Sequence, residues 1–307
     1  PKPSHYGFCE LALVMTIQIL SPDLWHTLRD DHQAKVLPWI TPRLERRSRH
    51  ESHPVDDFLF EYYPISTNKL LNWHPGFGFD LAATEIEFEE FPIGSYEFVD
   101  NKIQLRSEWL AKNQEAAISL IEFLAKTQER SIRSGCFGLH EWAMVLGTED
   151  VRHEKWPLRL SQEQIRATID EVGLRCTHFD AFRFFTPTAA PLNPLQLTPI
   201  DRNDVEQPGC LHANMDLYKH AQRFAPIFGS NIVRAAFALA KDIRTVDMQT
   251  APYDLADLGV IPIPVETQAG RDEFANQQLQ FASRAQILRT ALIDALKSGY
   301  VSAEIKG

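Results

Sequence analysis

The chain has 307 residues, with 31 lysines and arginines against 41 aspartates and glutamates and a formal net charge of −10. That length can bury a sizeable core in one large domain or two small ones, and 44% hydrophobic with 23% charged residues is ordinary for a globular protein. The acidic balance counts against a broad phosphate-binding surface, and the one basic patch (Arg43, Arg46, Arg47 and Arg49, with His50 and His53) reads as a solvated turn.

Residues 1–20 read as a dispensable N-terminal extension, with Met15 as a natural start. The run from Cys9 to Leu20 is apolar apart from Glu10, Thr16 and Gln18. It is too short for a bilayer span, which needs about 20 apolar residues. It also lacks the basic start and cleavage site of a signal peptide. Residues 21–300 read as a single helical catalytic domain. Ser21 and Pro22 open a helix that Pro38 and Pro42 close at about residue 37. Ser52 or His53, followed by Pro54, starts the next helix. Residues 80–104 are rich in aromatic and β-branched residues but are broken by Pro92 and Gly94, which predicts a short hairpin or an irregular excursion.

Leu110, Ala117, Leu120, Ile121 and Leu124 predict an amphipathic helix from Arg106 to about Arg130. A short buried helix follows at Leu139–Leu146, and Ser161-Gln-Glu-Gln164 is a capping-box opening to a helix ending near Gly173. Thr177–Phe185 is aromatic and helix-compatible. Residues 186–209 hold five prolines and one glycine and read as an ordered loop. Helices follow at 211–224 and from Ser230 to Met248, then a Pro-rich connector over 250–270 and a last helix at about 272–297. The fold class is mainly α, a compact multi-helix domain with a short β or irregular excursion around 80–104.

Chemistry concentrates in three stretches: Gly138-Leu-His-Glu-Trp142, Cys176–Phe185 and Cys210–His220. His212, Asp216 and His220 stand at i, i+4 and i+8 and share a helix face within about 80°. His140, His178, His212 and Asp216 form a set of imidazole and carboxylate ligands on separate helices, of the kind helical bundles use for metals, and such mixed ligation suits Fe, Mn or Zn. The bland alternative for each histidine is a hydrogen-bonded core residue. Base excision needs instead a carboxylate near the sugar and an apolar pocket for the flipped base, and no cofactor. Asp180, Glu141 and Asp216 are the candidate catalytic carboxylates, with Trp142, Arg183 and Tyr218 as substrate-binding candidates. The four cysteines, Cys9, Cys136, Cys176 and Cys210, include no C-x-x-C pair and fit a reducing, cytoplasmic setting. Dinucleotide, phosphate-loop, nucleophile-elbow and zincin motifs are absent from the sequence.

Several segments carry a family resemblance. They include Ser52-His-Pro-Val-Asp-Asp-Phe-Leu-Phe-Glu-Tyr-Tyr63, Gly135-Cys-Phe-Gly-Leu-His-Glu-Trp-Ala-Met-Val145, Thr177-His-Phe-Asp-Ala-Phe-Arg-Phe-Phe-Thr-Pro187 and Gln207-Pro-Gly-Cys-Leu-His-Ala-Asn-Met-Asp-Leu-Tyr-Lys219. From about residue 21 to residue 297 the chain resembles bacterial proteins named 3-methyladenine DNA glycosylase. The resemblance implies a DNA-repair hydrolase that cleaves the N-glycosidic bond of alkylated adenine, with damaged DNA as partner. The hairpin of helix-hairpin-helix glycosylases is absent from the sequence, so no catalytic residue is carried over from that class. The residues themselves support a second expectation, a helical non-haem metal-dependent oxygenase or hydrolase acting on a small molecule. Neither expectation involves a membrane.

Overall fold

A computed structural model describes residues 17–148 and 155–304. Among them the protein is mainly α, with one small four-stranded sheet. Strand β1 (Gln18–Leu20) leads into α1 (Pro22–Ser48), followed by the short helices α2 (Phe58–Tyr62) and α3 (Thr67–Leu71). Strand β2 (Phe79–Ala82), helix α4 (Glu85–Phe88) and strands β3 (Tyr96–Val99) and β4 (Lys102–Leu105) complete the sheet. The order is β1-β2-β4-β3, parallel between β1 and β2 and antiparallel elsewhere. Asp100 and Asn101 turn the β3–β4 hairpin at φ +51° and +57°, the left-handed pair that a tight hairpin needs.

The excursion expected over 80–104 is therefore a real sheet. Its first strand falls within the stretch read as a dispensable extension. Gln18–Leu20 pair with Phe79–Leu81, and Leu20 joins Trp25, Leu81, Phe91, Tyr96 and Ile103 in a small second core. Residues 1–16, including Met15, lie outside the described residues.

Helix α1 does not stop at its prolines; it runs through Pro38 and Pro42 to Ser48. Each proline removes one backbone hydrogen bond. Pro38, Pro42 and Ala34 are all exposed, so the freed carbonyls of Ala34 and Pro38 face solvent. The buried stripe of Trp25, His32, Val36 and Ile40 continues on the other side. The basic patch is the end of this helix: Arg43 and Arg46 both pair with the buried Asp57, and Arg49 pairs with Glu51. Helix α2 starts later than Ser52 and His53 predict, because residues 54–57 form turns first and Asp57 is its cap.

The remaining helices are α5 (Ser107–Glu129), α6 (Leu139–Ala143), α7 (Gln162–Val172), α8 (Phe179–Phe182), α9 (Arg202–Val205), α10 (Leu211–Arg223), α11 (Ala225–Thr250) and α12 (Gln268–Glu304). The capping box of Ser161 and Gln164 opens α7 as the sequence predicts. Helices α10, α11 and α12 pack on one another, and α5 packs on α12, around the main core. Helix α11 begins earlier than Ser230 and kinks at Gly229, whose φ is +72°. A side chain there would press on the backbone of Pro75 and Gly76 at 3.0–3.3 Å. Glycine thus lets the turn after α3 dock on α11, where His74 O accepts from Ser230 N and Phe77 N donates to Ile227 O. No described helix is long and apolar enough to cross a membrane.

Candidate metal centre

Three elements meet at the centre of the main core: the start of α6, the first turn of α10 and the last third of α11. Two fasteners bring α6 against α11. Gly138 caps α6 at φ +69°, and a Cβ there would lie 2.3 Å from Thr250 Oγ1, so only glycine permits the approach. Trp142 Nε1 donates to Thr250 O at 2.8 Å. This docking puts His140, on α6, beside Asp247, on α11. The entry to α10 is pinned as well: Asn214 Nδ2 donates to Pro208 O and Gln278 Nε2 donates to Gly209 O. It presents His212 from the first turn.

His140, His212 and Asp247 are all buried, and their ligand-capable atoms lie within 4.8 Å of one another. His140 Nε2 and Asp247 Oδ1 are 2.9 Å apart. Yet neither atom has a hydrogen-bond partner of acceptable alignment. They remain at ion-pair distance, so a charged His140 and Asp247 attract each other without an ion between them. Ligands on an ion bound at about 2.1 Å are about 3 Å apart at a right angle and about 3.4 Å apart in a tetrahedron, so this spacing suits an octahedral ion and equally an ordinary ion pair. The His212 ring stands edge-on to His140, with centroids 4.4 Å apart and planes at 80°. All three atoms can therefore face one shared point.

The other carboxylate oxygen is fixed from behind. Arg244 donates through Nη1 to Asp247 Oδ2 at 2.7 Å and to Glu141 Oε1 at 3.0 Å, through Nη2 to Pro54 O, and lies over the Phe58 ring at 3.7 Å. Such an outer partner orients a ligand and leaves one oxygen for the ion. The charges respond accordingly. Burial opposes ionisation of Asp247, but His140 and then Arg244 outweigh it and hold the carboxyl well below its usual range. Burial likewise disfavours charged His140, yet the Asp247 carboxylate outweighs it and raises that pKa. Burial, reinforced by the neighbouring His140, keeps His212 well below an ordinary imidazole.

A cavity of about 20 Å³ reaches His140 and His212, enough for a water or an ion by the requirement of about 10–15 Å³. Cys136, Cys176 and Cys210 also line it. Burial pushes all three thiols up, Cys176 to about 12, and none of them belongs to the converging ligand group of His140, His212 and Asp247.

A second polar cluster adjoins the first. His178 stacks on His212 at 5.2 Å, and its Nε2 lies 3.5 Å from Asp216 Oδ2 and 3.6 Å from Glu206 Oε1. Tyr63 Oη donates to Asp216 Oδ1 at 2.6 Å, while Arg202 Nη2 and Lys219 Nζ donate to Oδ2 at 2.9 and 3.0 Å. Arg202 also donates to Glu206 at 2.7 Å. Of the ligand set expected from sequence, the structure thus brings His140 and His212 together and stacks His178 on them, while Asp216 turns to protein cations. The third member of the close triad is Asp247, which sequence reasoning missed.

The other expected site residues are dispersed. Glu141 is held by Arg244. Asp180, on α8, is partly exposed and lies 3.7 Å from Arg183 and 4.0 Å from Lys219. Arg183 is half exposed over the Phe184 ring. Trp142 and Tyr218 are wholly buried in the core, Tyr218 edge-on to Tyr63 and Phe237. His220 lies under Arg202, 3.4 Å from its Nη2, beside the Phe123 ring.

The chain matches no family model, no curated protein and no solved structure.

Proposed function

We propose that this protein is a non-haem metal-dependent enzyme acting on a small molecule, with the ion held by His140 Nε2, His212 and Asp247 Oδ1. The observation that carries this reading is the convergence of three buried ligand-capable atoms, from His140, His212 and Asp247, within 4.8 Å of one another. Two histidines and one carboxylate leave coordination positions open, and that ligand set with open positions favours iron, with oxygenase chemistry as the first assignment. Zinc in the same set would favour hydrolysis instead. Bound iron would supply activation of dioxygen. The chain's own contribution is to orient Asp247 through Arg244, to keep His212 neutral as a ligand, and to hold bulk water off with the thiol and leucine wall.

The glycosylase activity implied by the resemblance draws less support from the geometry. Asp216 and Glu141 are tied to arginines in the interior, Trp142 and Tyr218 are packed in the core, and the net charge of −10 opposes DNA binding. Its own assay is release of free base from methylated DNA.

Elemental analysis of the purified protein tests the metal reading. About one equivalent of Fe, Mn or Zn per chain is expected, and His212→Ala and Asp247→Asn each lose it while retaining the helical circular dichroism. Protein that takes up no ion, either as purified or after anaerobic incubation with Fe(II), Mn(II) and Zn(II), would overturn it.

A further inference from the structure

Above the inner cavity lies an open pocket of about 390 Å³. The two share Cys136, Arg175, Cys176 and Thr177 in their walls, so the outer pocket adjoins the cavity beside His140 and His212. Arg133 and Arg175 line this vestibule. Most arginines of the protein are paired with a carboxylate, a carbonyl or an amide. The guanidinium groups of Arg133 and Arg175 have no hydrogen-bond or ion-pair partner among the described residues, although the chain carries ten more acidic than basic side chains, 41 against 31. Ile132 and Leu195 supply exposed apolar rim, 47% and 37% accessible, beside the two cations.

The backbone under these side chains is fixed. Gln207 Oε1 accepts from Arg133 N at 2.9 Å, and its Nε2 donates to Arg133 O at 3.3 Å. The Asn193 amide accepts from Cys176 N at 2.8 Å and donates to Cys176 O and Leu195 O. Two buried amide side chains thus hold both walls in register, which lowers the ordering cost of binding. A volume of this size suits a small ligand rather than a macromolecule.

We infer that the vestibule takes the anionic headgroup, carboxylate or phosphate, of a small amphiphilic organic acid. Arg133 and Arg175 clamp the headgroup, and Ile132 and Leu195 cover the apolar part. Calling that acid the substrate rests on the metal reading; the binding site itself does not. A guanidinium pair matches the planar acceptors of either headgroup bidentately.

Calorimetric titration of the metal-loaded full chain with octanoate, octyl phosphate and octanol tests this. The acid carrying the preferred headgroup binds about tenfold or more tighter than octanol, as a charge-assisted hydrogen bond would give, and Arg133→Gln/Arg175→Gln erases that preference. Both arginines are exposed, so the double variant folds and keeps its metal. Preference for octanoate alone assigns a carboxylate, and preference for octyl phosphate alone a phosphate. Equal binding of octanol, no binding of any probe, or an unchanged double variant would overturn the site. A protein that takes up no ion and yet shows arginine-dependent acid binding overturns the metal reading and leaves the vestibule standing. A metal-loaded protein with no headgroup preference does the reverse.

Discussion

The two polar clusters in the core are built from the same residue types and are in contact through the His178 and His212 rings, yet they solve the problem of buried charge differently. In the outer cluster, Asp216 has a proton donor on each oxygen, from Tyr63, Arg202 and Lys219. Its positive charge is supplied by the protein. In the inner cluster, Arg244 is shared between Asp247 and Glu141, and it reaches only one oxygen of Asp247. The other oxygen lies 2.9 Å from His140 Nε2, with a ligand-capable atom of His212 close by. Asp216 is compensated by three protein donors, although His178 and Glu206 beside it also keep atoms unpartnered among the described residues, whereas three ligand-capable atoms converge at Asp247. The contrast teaches that a buried His with a carboxylate does not by itself mark a centre. What marks it is a set of ligand-capable atoms that converge on one another, as those of His140, His212 and Asp247 do.

The largest test of this contrast is Asp216→Ala. It leaves Arg202 and Lys219 without their shared oxygen and strips the buried Tyr63 hydroxyl of its acceptor. Breaking one side of a buried ionic group costs about 3–5 kcal/mol, discounted toward the lower end because Arg202 and Lys219 are partly exposed. Urea unfolding should show that loss while metal content stays at that of the parent. Loss of metal with unchanged stability would reverse the roles assigned to the two clusters.

Acid acts on both clusters and on the rest of the fold. Burial opposes ionisation of Asp216, but His178, Lys219 and Arg202 hold its carboxyl well below the usual range. Its contribution is therefore present above about pH 3.9, the unfolded value, and is lost only as pH falls below that toward the folded value. Milder acid acts through the buried histidines, among them His212 and His220 of the two clusters, whose burial also lowers their pKa values. Burial, with a smaller effect from His32, lowers His74 to about 4, and its Nδ1 lies 3.0 Å from Tyr96 Oη under the sheet. The unfolded chain takes up a proton there below about pH 6.5 that the folded chain refuses. The contribution of His74 is full above that pH and falls by about 3 kcal/mol on the way to pH 4, at about 1.4 kcal/mol per unit, added to those of His32, His212 and His220. His74→Asn should flatten this limb in denaturant unfolding measured at pH 7 and pH 4. An equally steep limb in the variant would assign the loss to other groups.

Much of this molecule was legible from residue order. The helical periodicities of α5 and α11 and the capping box of α7 hold, because each is decided within a turn or two of chain, whereas the Pro-rich stretch 186–209 holds helix α9 as well as loop and α12 starts at Gln268, inside the 250–270 connector. His140, His178 and His212 were visible as polar residues inside apolar segments, and the structure does collect them. Asp216 was read as the fourth ligand because i and i+4 share a helix face. That spacing also sets Asp216 one turn further along α10, where Tyr63 and Arg202 from other elements reach it, and periodicity carries no information about those partners. Asp247 was passed over although Arg244-Thr-Val-Asp247 interrupts the apolar face of Ile243, Val246 and Met248 with two opposite charges. An i, i+3 ion pair in a buried helix face was the available signal. The prolines of α1 misled because their cost depends on whether the freed carbonyls meet water, and sequence does not say which side of a helix is wet. Strand β1 is three residues long and parallel to a partner far along the chain, so it had no local signature.

The smallest effect sharpens the comparison most, because it asks each cluster for an ion directly. An ion that binds the folded chain and not the unfolded one stabilises by mass action, by about 2.7 kcal/mol at a free concentration one hundred times its dissociation constant. Scanning calorimetry of the parent should therefore show a lower midpoint after dialysis against chelator, restored by the ion found in elemental analysis. Asp216→Asn, which keeps the shape of the side chain, should lower the midpoint in both states and preserve the gap between them. Asp247→Asn should close the gap, its midpoint unmoved by chelator. Arg244 still donates to the remaining Oδ1 carbonyl or to Glu141 in that variant, so the helix pair does not lose its only fastener. Trp142 and Gly138 continue to hold α6 on α11. A gap that persists in Asp247→Asn would mean the ion sits elsewhere. A gap that closes only in Asp216→Asn would place it in the outer cluster, with Arg202 and Lys219 moved aside to admit it.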